Sequence, residues 1–354
     1  MDGVSREDVV RICTAATAAP SGDNSQPWRF VFLSPDKIAF HAVSGVDNAL
    51  LNVDESGTLI ALGAAVQNAE LEAKALGFDP VSNFHEEGPM VATLTLRKGG
   101  SLSESEQRLQ QAIPSRHTNR KNYDHTSLKE IDRQSLVEVV RGSSEVTLDL
   151  IEDRNDIDII ARALTTMEEI ALGNKSLHTL FFKSIFWSKK DNLSGKSGLY
   201  IKTLELPIQA QLFFKGLRYW TVAKILAHFK FPKVVAETNA KQNATASAIG
   251  VIIISQMDRR HYLEAGRVLE RVWLAATAEG LSFQIVTGLL FLARSVEKGG
   301  EEVFSIEERK MIREAHARIR EVLGNKEAFI TFRVGYGSAP SAISYRRPPH
   351  IENI

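Results

Sequence analysis

Apolar and polar positions alternate with two periods along this chain, and the switches between them outline the elements. Residues 5–18 carry apolar side chains at helical spacing behind Ser5, a plausible N-cap, and predict a helix. The run WRFVFL from Trp28 to Leu33 predicts a strand, paired with 37–43 across the turn Ser34-Pro35-Asp36. Asp54 is expected to cap a helix through about Leu76, ended by Gly77; it is apolar around most of its circumference and should be buried. A strand at 90–97, a helix at 103–113, a helix at 127–141 and a strand at 146–151 follow, with Gly99-Gly100-Ser101 as a junction.

Helices near 156–172 and 175–187 lead through a polar stretch, 188–198, to one long amphipathic helix at 204–230. The β-branched run AIGVIIIS at 248–255 predicts a central strand. After it come a helix at 258–279 closed by Gly280, a strand at 281–286, a helix at 305–323, a strand at 328–336 and an extended tail. Strands and helices lack the strict alternation of a doubly wound sheet. The expected class is therefore α+β: a central, mostly antiparallel sheet surrounded by helices.

Charge and composition narrow the function. Forty-three basic and 43 acidic residues leave no whole-chain positive field, so nucleic acid is not expected as a partner. The single cysteine, Cys13, excludes a disulfide within the chain or a multi-cysteine metal site, and its apolar context reads as core. The nine histidines are scattered, so no metal is expected. The first residues include Asp2, Arg6, Glu7 and Asp8 and no apolar run, and Lys215, Arg218 and Lys224 interrupt the most apolar stretch. The expectation is a cytoplasmic protein with no integral membrane span.

Dinucleotide, P-loop, zinc-protease and serine-hydrolase motifs are absent from the sequence. Three segments remain. Pro20-Ser21-Gly22-Asp23-Asn24-Ser25-Gln26-Pro27-Trp28 sets small polar groups between a helix and a strand; it suits a planar polar ligand, or serves only as a connection. Arg116-His117-Thr118-Asn119-Arg120 directs alternate side chains, Arg116, Thr118 and Arg120, to one side; they match a phosphate, or form a solvated basic loop. Arg346 and Arg347 in the tail add two cations, for the same phosphate or for solvent.

In combination these segments resemble the nitroreductase family. PSGDNSQPWRF looks like that family's PS-x-x-N-x-QPW loop, and RHTNRKNY looks like its R-x-[ST]-x-[RK]-x-[FY] motif. GTLIALGAAVQNAELEAKALGF, ERVWLAATAEGLSFQIVTG and FRVGYGSAPSAISYRRP are similar to its Ala-rich helix, its helix–strand–loop at the flavin ring and its Arg-bearing tail. The loop precedes the Arg motif here, the reverse of the family's usual order. That inversion resembles the Acg-type branch, in which two nitroreductase-like halves are fused into an internal pseudo-dimer.

The resemblance implies a first half at 1–110, a second at 111–354 and a helical lid or insertion at about 174–245. It implies one FMN per chain, with NAD(P)H as co-substrate and a nitroaromatic or quinone-like acceptor reduced through flavin N5. Cofactor contacts would come from Pro20, Ser21, Gly22, Asn24, Gln26, Arg116, Thr118, Arg120, Thr287, Gly288, Arg346 and Arg347. Gly288 and Thr287 would lie at N5, glycine leaving room there; no side chain is assigned as acid or base. The alternative is FMN storage, with the lid aromatics Phe181, Phe182, Phe186, Trp187, Phe213, Phe214, Tyr219 and Trp220 covering the ring. The helix at 204–230 would otherwise form a dimer interface or lie on a membrane, so monomer and homodimer both stay open.

Overall fold

The computed structural model describes residues 4–194 and 197–353. Eleven strands are present among them: β1 Trp28–Ser34, β2 Lys37–Ala42, β3 Phe78–Phe84, β4 Met90–Lys98, β5 Val146–Ile151, β6 Ile185–Phe186, β7 Leu199–Tyr200, β8 Ala248–Ile254, β9 Ser282–Ile285, β10 Ile330–Gly335 and β11 Ile351–Asn353. The class is α+β, as the mixed pattern requires. The single central sheet is corrected, however: β11-β1-β2-β4-β3 form one sheet and β5-β8-β10-β9 another, with β6-β7 as a small third.

All pairings are antiparallel except β1 with β11 and β6 with β7. Within each large sheet, four strands taken in chain order stand first, second, fourth, third. In each, a 20-residue helix joins the second strand to the third: Ser56–Ala75 and Arg259–Ala278. These two helices lie against one another, and they do so through reciprocal glycines. A Cβ on Gly63 would sit 1.9 Å from the Leu263 carbonyl oxygen, and one on Gly266 would sit 2.1 Å from that of Ile60. Only hydrogen at these positions permits such an approach. The largest core runs from Val9 to Val334 and packs both helices between the sheets.

The first long helix is buried continuously from Thr58 to Ala73, as its composition demands. Its start differs from expectation. Asp54 and Glu55 take left-handed conformations (φ 53° and 56°), and the helix begins at Ser56 without a side-chain cap. Asp54 is drawn instead toward Lys298, 3.2 Å away. Helix Arg6–Thr17, by contrast, has a full capping box between Ser5 and Asp8.

The helix expected at 204–230 is broken. Ile208–Leu217 and Trp220–His228 are separate, followed by Phe231–Asn243, with Glu205 and Lys230 in left-handed turns. Folding back lets Leu217, Ala223, Phe214, Trp220, Leu226 and Phe231 join Phe181, Phe182 and Trp187 in one satellite cluster, which a straight helix cannot do. Several elements were not anticipated: β3, whose Asp79, Pro80, Ser82 and Asn83 suit an edge, the short β6 and β7, and the helices Phe231–Asn243 and Gly288–Glu297. The tail also ends in a strand rather than in extended chain.

Candidate active site

Between the two long helices and the chain's last segment lies a cavity of ≈ 630 Å³. Its walls come from widely separated stretches: 20–25, 45–48, 113–120, 197–199, 285–288 and 342–346. Of the residues singled out by sequence, Pro20, Ser21, Gly22, Asn24, Arg116, Thr118, Arg120, Thr287, Gly288 and Arg346 line it. Gln26 and Arg347 do not.

The early loop is shaped by left-handed backbone at three non-glycine residues, Asp23, Asn24 and Gln26 (φ 46°, 56° and 52°). Each costs roughly 1 kcal/mol, so the surroundings must hold the turn. The tail supplies much of that hold. Gln26 is buried; its Oε1 accepts from the Arg347 N–H at 2.8 Å, while Arg347 Nη2 donates to the Gln26 carbonyl at 2.7 Å and the Ser25 carbonyl at 3.2 Å. Asn24 Nδ2 donates to the Tyr345 carbonyl at 3.1 Å, and its Oδ1 accepts from Arg346 Nη1. Gln26 and Arg347 thus fasten the tail to the loop behind the cavity wall, and Arg346 is delivered to the cavity.

Arg116 is packed away from solvent between three partners. Its guanidinium lies 4.3 Å from the Trp273 ring centroid, Nη2 donates to the Ala18 carbonyl at 2.6 Å, and Nε stands 3.2 Å from Glu270 Oε1. The Nε contact is close enough for an ion pair but lacks hydrogen-bond alignment, since Arg116 Nε and both Glu270 oxygens are without hydrogen-bond partners. Burial raises the Glu270 carboxyl and lowers the Arg116 guanidinium from their usual values; each partner pulls the other back. Arg346 is depressed as well. Burial, with Arg116 adding repulsion, lowers it to about 9 despite Glu270, and its Nε is buried without a partner. Two guanidiniums therefore share one carboxylate, which leaves a buried excess of positive charge.

Arg120 reaches the cavity from a loop held by a residue that sequence reasoning missed. Arg333 is fully buried under Tyr123 and donates to the Lys121 carbonyl at 2.8 Å, the Gln242 carbonyl at 2.9 Å and Gln284 Oε1 at 2.8 Å. Arg120 itself donates from Nη1 to the Thr203 carbonyl at 3.1 Å. Burial depresses its guanidinium, with Asp23 opposing. Asp23 and Asp47 also line the cavity, and burial raises both carboxyls. These two, Glu270, Trp273 and Lys183 were not picked out by sequence. Asp47, in the Gly45-Val46-Asp47-Asn48 turn, had a turn signal but no chemical one.

At the remaining walls, Gly288 lies close to Met167, whose Cγ would stand 2.8 Å from a Cβ added there. The Thr287 hydroxyl is committed to β10, donating to the Thr331 carbonyl at 2.9 Å and accepting from its N–H at 3.0 Å. The aromatic residues 181–220 do not line the cavity; Phe182, Phe214 and Trp187 pack on one another at 4.9–6.3 Å. The segment's contribution to the wall is Leu180, Lys183, Ser184, Ser197, Gly198, Leu199 and Thr203. It is tied down by Asn24 Nδ2 to the Gly198 carbonyl, 3.1 Å, and by Ser197 Oγ to the Ser25 carbonyl, 2.6 Å. Cys13 lies in the core, its thiol pushed up to about 12 by burial, and offers no nucleophile. No helix among the described residues is long and apolar enough to cross a membrane.

No family model matches the chain. It is 23% identical over 350 residues to uncharacterized protein MT1398 of Mycobacterium tuberculosis (strain CDC 1551 / Oshkosh), a match over 96% of this chain and 47% of that protein. The chain thus spans about half the length of that relative. Among solved structures, it is similar to the NADPH:FMN oxidoreductase from Vibrio harveyi complexed with NAD+, with TM-score 0.37 and 11% identity, covering 69% of this chain and 74% of that one. It is also similar to the FMN-dependent nitroreductase NfnB from Mycobacterium smegmatis in complex with NADPH, with TM-score 0.38 and 14% identity, covering 66% and 88%.

Proposed function

We propose that this chain binds one FMN and acts as an NAD(P)H oxidoreductase of nitroreductase type on nitroaromatic or quinone-like acceptors. The observation that carries the reading is the meeting, in one cavity, of the PSGDN loop with Arg116, Thr118, Arg120 and Arg346. The two motifs that resemble the family stand far apart in sequence and both line this cavity.

The residues present fit the cofactor. A volume of ≈ 630 Å³ lies within the roughly 300–1,000 Å³ of ordinary ligand pockets. Trp273, Ile285, Ile60 and Phe291 offer apolar wall to a flat ring. Arg346, with a buried Nε lacking a partner, and Arg116, which shares Glu270, are short of one counter-charge, and a phosphate dianion would supply it. Arg116, Thr118 and Arg346 would hold the phosphate; Arg120 would lie at the ring's polar edge, where positive charge favours the reduced flavin. Asn24 and the Pro20–Gly22 backbone would contact the ring, with Thr287 and Gly288 beside it. When bound, FMN supplies the chemistry: acceptance of hydride from the nicotinamide and its delivery to the acceptor. The protein's own residues orient the ring, exclude water and fix the charge around it.

The chain is also read as two nitroreductase-like halves, with a boundary near residue 110, forming an internal pseudo-dimer of the Acg type. The repeated strand order and the reciprocal Gly63 and Gly266 contacts support this. The first half lends the loop and the second the cations, giving one site per chain. A storage role is the second reading. It is favoured by the hydrogen bonds that fasten Gly198, Ser197 and Thr203 across the cavity. Anaerobic addition of NADPH to the FMN-loaded chain separates the two. Bleaching of the flavin absorbance supports the reductase; colour that resists NADPH and NADH but yields to dithionite supports storage and overturns the reductase.

A further inference from the structure

The segment 208–234 has a second face, turned away from the cavity. Of the eighteen large apolar side chains exposed among the described residues, eight lie here: Ile208, Leu212, Phe213, Tyr219, Val222, Ile225, Phe229 and Val234. A soluble surface rarely concentrates apolar groups in this way without a partner. They are not spare core, because the inner side of the same helices is already filled by the satellite cluster around Leu217 and Ala223.

Charge decides what the partner is. No aspartate or glutamate occurs from 206 to 236, whereas Lys215, Arg218, Lys224, Lys230 and Lys233 do, and all five are exposed. The flanking carboxylates are Glu205, Glu169 and Glu237, of which Glu169 faces Lys233. In a chain with equal numbers of acidic and basic residues, this is a local cationic surface. A second copy docking face to face about a two-fold axis would set these cations against their own equivalents, an unfavourable arrangement. Anionic lipid headgroups would pair with them, while Ile, Leu and Phe enter the acyl boundary and the lysine stems snorkel. Three short helices joined by tight turns suit a position in the interface plane, not a span.

We propose that the outer face of residues 208–234 docks the protein peripherally on an anionic lipid surface. The docking is independent of the flavin reading, since none of the eight apolar residues lines the cavity.

Sedimentation of the full chain with vesicles tests it. With phosphatidylcholine containing about a third phosphatidylserine, the protein should pellet, and it should stay in solution with phosphatidylcholine alone. The triple variant Lys215→Glu/Lys224→Glu/Lys230→Glu should lower the partition coefficient about a hundredfold or more, at roughly fivefold per charge. A second variant, Ile225→Ser/Phe229→Ser, alters only exposed positions and should weaken binding with its melting temperature kept. Failure of the wild-type chain to pellet with the anionic vesicles, or equal pelleting by both variants, overturns the proposal. So does a concentration-dependent dimer that the serine variant dissolves, because the face then belongs to a second copy.

Discussion

Arg346 Nη1 donates to Asn24 Oδ1, joining residues 322 apart in sequence at the wall of one cavity. Asn24 is thereby oriented by the tail, and Arg346 is aimed inward by the loop. Replacing either residue should loosen both. Arg346→Ala should weaken FMN binding about 10- to 100-fold, the range for losing a charged hydrogen-bond partner. Asn24→Ala should weaken it less, and the double variant should fall short of the sum. Fluorescence titration with FMN measures all three; unchanged affinity in Arg346→Ala would remove this residue from the site.

The depressed guanidinium of Arg346 gives binding a pH dependence. Below about 9 it is charged and ready for an anion. Above that value the free protein must take up a proton to bind phosphate, and affinity should fall about tenfold per pH unit until the bound-state value is reached. Binding should be level from pH 7 to 8 and weaken between pH 9 and 10 in the wild type. Arg346→Met should lack this step, and a wild-type profile flat to pH 10 would contradict the assignment.

Glu270 compensates two buried cations and also opposes any phosphate placed between them. Glu270→Gln should therefore destabilise the free protein by about 3 kcal/mol, since Arg116 loses its buried counter-charge. FMN should then raise the melting temperature of the variant more than that of the wild type. Equal shifts on loading would show that the phosphate does not share this charge.

At the crossing of the two long helices, Gly63→Leu would drive a side chain into the Leu263 backbone. The helices cannot separate without disturbing both sheets, so a loss of about 3 kcal/mol or more is expected, near the upper end of overpacking costs. Chemical denaturation measures it. Gly22→Ala is the control, with nothing within 4 Å of its Cβ, and should be close to neutral.

What the sequence revealed followed physical scale. Trp28–Ser34, Val146–Ile151 and Ala248–Ile254 were legible because local apolar alternation or a β-branched run decides them. β3 was hidden by Pro80 and its polar neighbours, since pairing along β4 rather than propensity makes it a strand. The break at Arg218-Tyr219 was hidden because the contacts that reward it come from Phe181, Phe182 and Trp187. In the cavity, Asn24, Arg116 and Arg120 stood out in motifs. Around it, Glu270, Trp273 and Arg333 lay inside the family-like stretches without a signal of their own, and Asp47 lay outside them, because each owes its role to a partner from another element: Arg116 for the first two, Tyr123 for Arg333, and Thr58 for Asp47.

Titration of the flavin-free full chain with FMN, followed by absorbance and by protein-bound flavin after gel filtration, tests the central claim most directly. One FMN per chain, bound by the wild type and weakly by Arg116→Ala/Arg346→Ala, is the expected result. A chain that stays colourless, or one that binds FMN equally well without those arginines, would contradict it.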